Sequence, residues 1–127
     1  MTTIYHITTR EAALAARESG EYRAESLSGE GFIHFSGPHQ LLGVAHKFYA
    51  GRHGLVLLVV DVSRLKAELK YEPPVHPGAS SSTAETDELF PHLYGPLNFD
   101  AVVAVHDFEP DANGRFSLPA ALRVSNF

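Results

Sequence analysis

The feature of the sequence that most constrains the fold is an almost unbroken apolar run at residues 55–62. A strand with one face in water alternates apolar and polar residues, so a continuous run predicts a strand that is buried on both faces. The uninterrupted part, residues 55–60, is far too short to cross a bilayer. The run therefore predicts the central strand of a globular core.

The rest of the pattern indicates one α+β domain over residues 1–127. A hydrophobic content of 44% with 20% charged residues is typical of a globular chain and not of a disordered one. Helices are predicted early, one from a Thr8/Glu11 capping box to Gly20 and one capped by Ser36. Strands are predicted at residues 3–7, 31–35, 70–72, 101–108 and 115–118, and a long loop at residues 75–87. Early helices and late strands favour an α+β domain over alternating βαβ units.

Charge and composition exclude several classes of function. The formal net charge of −5 argues against a duplex nucleic-acid partner, which would need a broad basic face. There is no cysteine, so disulfides, thiolate metal sites and cysteine nucleophiles are excluded. The first residues lack the basic start and apolar core of a secretion signal, so we expect a cytoplasmic protein without a membrane partner. The oligomeric state stays open.

Three of the eight histidines interrupt apolar segments: His6 in IYHIT, His34 in GFIHFS and His92 in FPHLYG. In the first two segments a hydroxyl residue follows two positions later, Thr8 and Ser36, on the same face of a strand. Each pair also stands where a strand meets a predicted helix N-terminus, which suits an anion. We predict that the three histidines share one cleft.

Other side chains complete the candidate site. FPHLYGPL offers Tyr94 beside His92 on a stiff frame, and Gln40 lies in the first turn of the second predicted helix. Glu72 is a candidate acid or ion-pair partner, although a solvated strand end is the favoured interpretation. Each histidine can also be a hydrogen-bonded core group, and a metal site of three histidines stays open.

The segments IYHIT, GEGFIHFS and LFPHLYGPLN, with LLVVD between them, are similar to the DUF952 family of small bacterial proteins. The resemblance spans about residues 3–108. Through that family the chain distantly resembles the ADP-ribosyltransferase-like fold, in particular its RNA 2′-phosphotransferase branch. The resemblance implies a split β structure of two packed sheets with two main helices, and NAD bound in the cleft.

The resemblance also implies roles for individual residues. His6 and Thr8 would hold the ribose of NAD, and the backbone of the next residue, Ile7, would pair with the nicotinamide amide. His34 and Ser36 would hold a phosphate or leaving group.

The third motif departs from the superfamily, because His92 and Tyr94 stand where a glutamate is usual. His92 would then be the general acid/base and Tyr94 a stacking or positioning group. Ile7 stands where the superfamily has glycine, which narrows the expected nicotinamide pocket.

These departures favour binding of NAD or a phosphorylated nucleotide over transfer of ADP-ribose to protein. We therefore expect a His-lined cleft for a nucleotide-like small molecule, with NAD as the expected cofactor and Gln40 as a further contact. A transferase acting on ADP-ribose or phosphate groups is one activity of such a cleft. A non-catalytic nucleotide-binding domain, a histidine-ligated metal protein with His6, His34 and His92 as ligands, and a purely structural or interaction protein are the alternatives.

Overall fold

The structure is a computed structural model that describes residues 2–73, 88–119 and 122. Within these residues the chain forms three α-helices: α1 (Arg10–Ser19), α2 (Glu25–Gly29) and α3 (Leu41–Phe48). It also forms eight strands: β1 (Thr3–Thr9), β2 (Glu21–Tyr22), β3 (Ile33–His34), β4 (Leu55–Asp61), β5 (Glu68–Glu72), β6 (Phe90–Tyr94), β7 (Leu97–Asn98) and β8 (Val102–Asp107). Two short 3-10 turns follow β4 and β7. The predicted α+β class is confirmed.

The strands form three antiparallel sheets in the orders β1-β4-β8, β3-β6-β5 and β2-β7. The two three-stranded sheets pack on a common core, to which β4 contributes Leu58 and β6 contributes Leu93. They correspond to the expected pair of packed sheets, and the two-stranded sheet is an addition to it. Two backbone hydrogen bonds of 2.8 Å between Tyr5 and Ser36 join the edge of β1 to the segment that follows β3.

Strand β4 is the centre of the domain, as the apolar run predicts. All seven of its residues are buried, with partners on both sides in the sheet. Its side chains belong to two core clusters: Leu58 packs in one with residues of β6, and Leu57 packs in the other with residues of α3. A strand with apolar side chains on both faces can satisfy both only in this central position.

The two predicted helix starts are wrong by a few residues. The N-cap of α1 is Thr9 and not Thr8, because the Thr9 hydroxyl accepts the Ala12 N–H at 3.1 Å while Thr8 turns inward. Gly20 ends α1 in the left-handed conformation (φ 89°), as predicted. Helix α3 begins at Leu41 and not beside Ser36, whose backbone is held by β1.

Two further predictions concern the second half of the chain. Residues 115–118 do not form the predicted edge strand: the Phe116 N–H donates to the His46 ring at 2.9 Å instead of to a neighbouring strand. The predicted loop at residues 75–87 lies outside the described residues. Among the helices of the described residues, none has both the length and the apolar content needed to cross a membrane.

Candidate active site

A cavity of about 530 Å³ lies along the free edge of β1 and brings the singled-out histidines together. His6, His34 and His92 all line it, and so do Thr8 and Ser36. These residues come from β1, β3, β6 and the segment after β3, so the sheet pairing and not the sequence spacing unites them. Its volume is within the range of small-molecule sites.

His6 lies in the wall of the cavity with both ring nitrogens engaged. Nδ1 is 2.6 Å from the His34 carbonyl oxygen, which can only accept, so Nδ1 carries a proton. Burial lowers the pKa of His6 to about 4, and the imidazole is therefore neutral near pH 7. Nε2 then accepts from the Tyr22 hydroxyl at 2.8 Å, and the Tyr22 oxygen also lies 3.1 Å from Thr8 Oγ1. His6 thus ties β1 to β3 and β2.

The N–H and C=O groups of Ile7 lie on the edge of β1 that faces away from β4, beside the cavity. Tyr5 gives its N–H and C=O to Ser36, so the even-numbered residues of β1, such as His6 and Thr8, are the ones that bond to β4. Ile7 therefore presents its N–H and C=O on the same open edge as Tyr5. No other segment of the described residues hydrogen-bonds to them. The Ile7 side chain itself packs into the second core cluster, and Ile7 is among the residues that line the cavity.

His34 is held by a carboxylate at the mouth of the cavity. Its Nε2 lies 2.8 Å from Glu30 Oε1, and its side chain is about 41% exposed. The Phe32 ring meets the His34 ring edge-on, with 4.8 Å between the ring centroids. An exposed histidine–carboxylate pair of this kind contributes little to stability but orients the imidazole.

His92 is the third histidine, and it is almost fully buried. Nδ1 donates to Glu72 Oε1 at 2.9 Å, and the Tyr94 hydroxyl donates to the same oxygen at 2.6 Å. Phe32 stacks on the His92 ring, with 4.1 Å between centroids and 21° between planes. Glu72 reaches His92 diagonally across the ladder, because its direct partner on β6 is Phe90.

These contacts set the ionisation of the Glu72 cluster. The hydrogen bonds from Tyr94 and His92 lower the pKa of Glu72 below its ordinary value, so Glu72 is an anion at neutral pH. The hydrogen bond to this carboxylate raises the pKa of Tyr94. Tyr94 consequently stays protonated and serves as a donor. A carboxylate that receives Nδ1–H leaves Nε2 of His92 as the free, basic nitrogen.

The cavity has a cationic group and acidic groups in its wall. Among the described residues that line it, Arg52 is the one that carries a fixed positive charge, and its guanidinium lies 5.3 Å from the Tyr49 ring centroid. Glu25 and Glu30 are the acidic members. Aromatic rings supply much of the rest, in particular those of Tyr5, Tyr22, Phe35, Phe48, Tyr49 and Phe90. The wall combines apolar surface with a few polar groups, as ligand sites do.

Residues 7–105 match the model of a family described as a protein of unknown function, DUF952. The match covers most of the chain, including β3, β6 and residues 7–9 at the end of β1. The chain belongs to the DUF952 family. Among curated proteins, none matches this DUF952 chain.

Solved structures of a protein from Caulobacter crescentus share the DUF952 chain's fold. The crystal structure of CC0527 from Caulobacter crescentus is 33% identical, covers 96% of this chain and 99% of its own, and superposes with a TM-score of 0.78. A double mutant of CC0527 gives the same score at 32% identity. The solution structure of CC0527 covers 91% of each chain at 33% identity, with a TM-score of 0.66. This similarity supports the fold and carries no activity.

Two predicted site residues of the DUF952 chain lie away from the cavity wall. Gln40 precedes α3, where its side chain bonds to the Gly37 N–H at 2.8 Å and to the Leu89 carbonyl at 2.7 Å. Tyr94 reaches the site through its hydrogen bond to Glu72 and through a ring contact with Phe32, with 5.2 Å between the centroids. The Gln40 side chain therefore links two backbone segments, and the binding role expected for it has no support in this geometry.

Sequence reasoning missed the partners that organise the histidines. The sequence pattern does not single out Tyr22, Glu30 or Phe32, and for Glu72 it favours a solvated strand end. The sequence places Glu72 at the end of a strand before two prolines. That position does not predict that β6, which carries His92, pairs with this strand. The described residues hold no group of three side chains arranged to ligate a metal. With both nitrogens of His6 already bonded, the three-histidine metal site finds no support in the geometry.

Proposed function

We propose that this DUF952 protein binds NAD or a similar phosphorylated nucleotide in the cavity, with the nicotinamide carboxamide paired to the backbone of Ile7. The observation that carries the proposal is the outward-facing N–H and C=O of Ile7 on a strand edge that lines the cavity. A primary amide offers a donor and an acceptor side by side. One outward-facing strand residue offers the complementary pair, in the manner of an added strand.

Other groups in the wall suit the remaining parts of such a ligand. The aromatic side chains, including Tyr5 and Phe35, give apolar surface for flat rings. Arg52 supplies a guanidinium, which recognises phosphate through paired donors. The Tyr22–Thr8 hydroxyl pair and Glu30 provide partners for ribose hydroxyls. These hydroxyls replace His6 as the proposed ribose contacts, because both ring nitrogens of His6 are hydrogen-bonded within the protein.

A transferase activity on ADP-ribose or phosphate groups needs a side chain that accepts a proton from the attacking hydroxyl. His92 supports this role, because its Nδ1 is held by Glu72, and in the neutral imidazole this contact leaves Nε2 as the nitrogen that can accept a proton. The alternative, a domain that binds the same ligand without turning it over, is separated by product analysis. Incubation of the protein with NAD gives free nicotinamide only if the cavity supports chemistry.

The backbone contact is tested with a matched pair of variants at one position. Ile7→Ala removes the packed side chain and keeps the N–H, whereas Ile7→Pro also removes the N–H. Because that N–H is not used by the sheet, proline at this edge position is compatible with the strand. We expect Ile7→Pro to bind NAD about 3- to 10-fold more weakly than Ile7→Ala in titration calorimetry, the effect of one lost hydrogen bond.

ADP-ribose, which lacks the carboxamide, is the control ligand and should not distinguish the two variants. Thermal melts of both proteins establish that each is folded at the titration temperature. Equal NAD affinities for Ile7→Pro and Ile7→Ala would contradict the assignment of the carboxamide to this backbone.

A further inference from the structure

We propose that Glu72 is a positioning residue that fixes His92 in its Nδ1–H tautomer and so presents Nε2 of His92 to the cavity as a proton acceptor. The inference rests on the proposed function for the identity of the ligand. It deepens that function by assigning a role to a residue outside the cavity wall. Glu72 lies behind His92 and need not touch the ligand.

The first support is the shared acceptor. Glu72 Oε1 receives both the His92 Nδ1–H at 2.9 Å and the Tyr94 hydroxyl at 2.6 Å. Two donors from alternate residues of β6 converge on one carboxylate oxygen, which fixes the position of the Glu72 side chain from two directions. A carboxylate cannot donate, so Nδ1 of His92 must carry the proton in this contact.

The second support is the way in which the imidazole plane is held. Phe32 stacks on the His92 ring at 4.1 Å, and the His34 ring meets its edge with 5.4 Å between centroids. The side chain of His92 is about 1% exposed, whereas that of Glu72 is about 33% exposed. The ring therefore has little freedom to rotate, and the direction of Nε2 follows from the position of Glu72.

The third support concerns Nε2 itself. Within residues 2–73 and 88–119, no side chain or backbone group hydrogen-bonds to Nε2 of His92, and no buried side-chain nitrogen or oxygen lacks a partner. His92 is among the residues that line the cavity, so Nε2 is the ring nitrogen available to that space. This arrangement leaves one basic nitrogen directed toward the ligand space while the other is anchored, as a general base requires.

The neighbouring pair of Glu30 and His34 provides an internal comparison. There the carboxylate bonds to Nε2 at 2.8 Å, on an imidazole that is about 41% exposed. The Glu30 contact thus occupies the nitrogen that the Glu72 contact leaves free on His92. Of the two pairs, only the one at His92 combines an anchored Nδ1 with a confined ring.

The test is the ring nitrogen spectrum of His92 in uniformly ¹⁵N-labelled protein at about pH 8, where an ordinary imidazole is neutral. Long-range ¹H–¹⁵N correlations distinguish a protonated from an unprotonated ring nitrogen, and a His92→Gln sample assigns the signals. We expect Nδ1 to be protonated and Nε2 to be bare in the wild-type protein. A wild-type spectrum with the proton on Nε2 of His92 overturns the proposal, whatever the variants do.

Variants of Glu72 test the cause. Glu72→Ala should shift His92 toward the Nε2–H form, whereas Glu72→Gln, which keeps a carbonyl oxygen as acceptor, should retain the Nδ1–H form. Glu30→Ala, the matched control, should alter the His34 signals and leave those of His92 unchanged. A Glu72→Ala spectrum identical to that of the wild type contradicts the role of Glu72.

Calorimetric titration of the same wild-type sample with NAD keeps the two proposals separate. Absence of NAD binding overturns the proposed ligand and leaves the tautomer result standing.

Discussion

Replacing Leu58 by alanine is expected to lower the free energy of unfolding by about 2–5 kcal/mol, the range for removal of a buried leucine side chain. Leu58 is fully buried at the centre of β4, where it packs in the cluster shared with β6. Its partner across the β1–β4 ladder is His6. The cavity left by the substitution therefore lies under the wall of the site. Urea denaturation followed by circular dichroism measures the loss.

Leu14→Ala is the matched control for this substitution. Leu14 lies on α1 and is about 54% exposed, so the same change in side chain removes little buried surface. We expect a change of at most about 0.5 kcal/mol there. Similar losses at the two positions would mean that β4 does not form the packed centre of the domain.

Acidification from about pH 7 to about pH 5 is expected to lower the free energy of unfolding by about 2 kcal/mol through His6 alone. Burial lowers the pKa of His6 from 6.5 to about 4, so the folded protein keeps this imidazole neutral where the unfolded chain takes up a proton. The free energy of unfolding therefore does not depend on protonation of His6 well above pH 6.5, and it decreases progressively as the pH falls from 6.5 toward 4. Denaturant titrations at several pH values measure this slope.

The carboxylates with lowered pKa values act in a different window. Hydrogen bonds lower the pKa values of Asp61, Glu72 and Asp111, so their contribution is lost mainly below their ordinary values of 3.8 to 4.5. The loss between pH 7 and pH 5 should accordingly disappear in His6→Gln. His53→Gln, at an exposed histidine, should retain it. A His6→Gln protein with the wild-type slope would show that His6 is not buried in its neutral form.

The parts of the fold that could be predicted from the sequence are those that depend on local pattern. The apolar run of β4 identifies a strand buried on both faces without reference to any other segment. The start of α1 could not be predicted correctly, because the local capping-box pattern of Thr8 with Glu11 favours Thr8 as the cap. Burial of Thr8 against Tyr22 decides in favour of Thr9, and that contact is a consequence of the tertiary fold.

The candidate site shows the same division. His6, His34 and His92 could be found because each is a polar residue inside an apolar segment. Their partners could not, since Glu72 contacts His92 across 20 positions of sequence and only the register of β5 against β6 brings them together. Likewise, the open backbone of Ile7 depends on β1 being an edge strand. The sheet order decides that, and no local pattern encodes it.

Binding of NAD at the free edge of β1 is tested most directly by amide chemical-shift mapping of the wild-type protein during titration with NAD. We expect saturable shifts centred on Ile7, Thr8 and the segment from His34 to Ser36, with the Ile7 amide moving downfield as its N–H gains an acceptor. Nicotinamide alone should reproduce the shift at Ile7, and ADP-ribose should shift the other residues without it. Absence of saturable shifts at millimolar NAD, or shifts confined to surfaces away from the cavity, would contradict the proposed function.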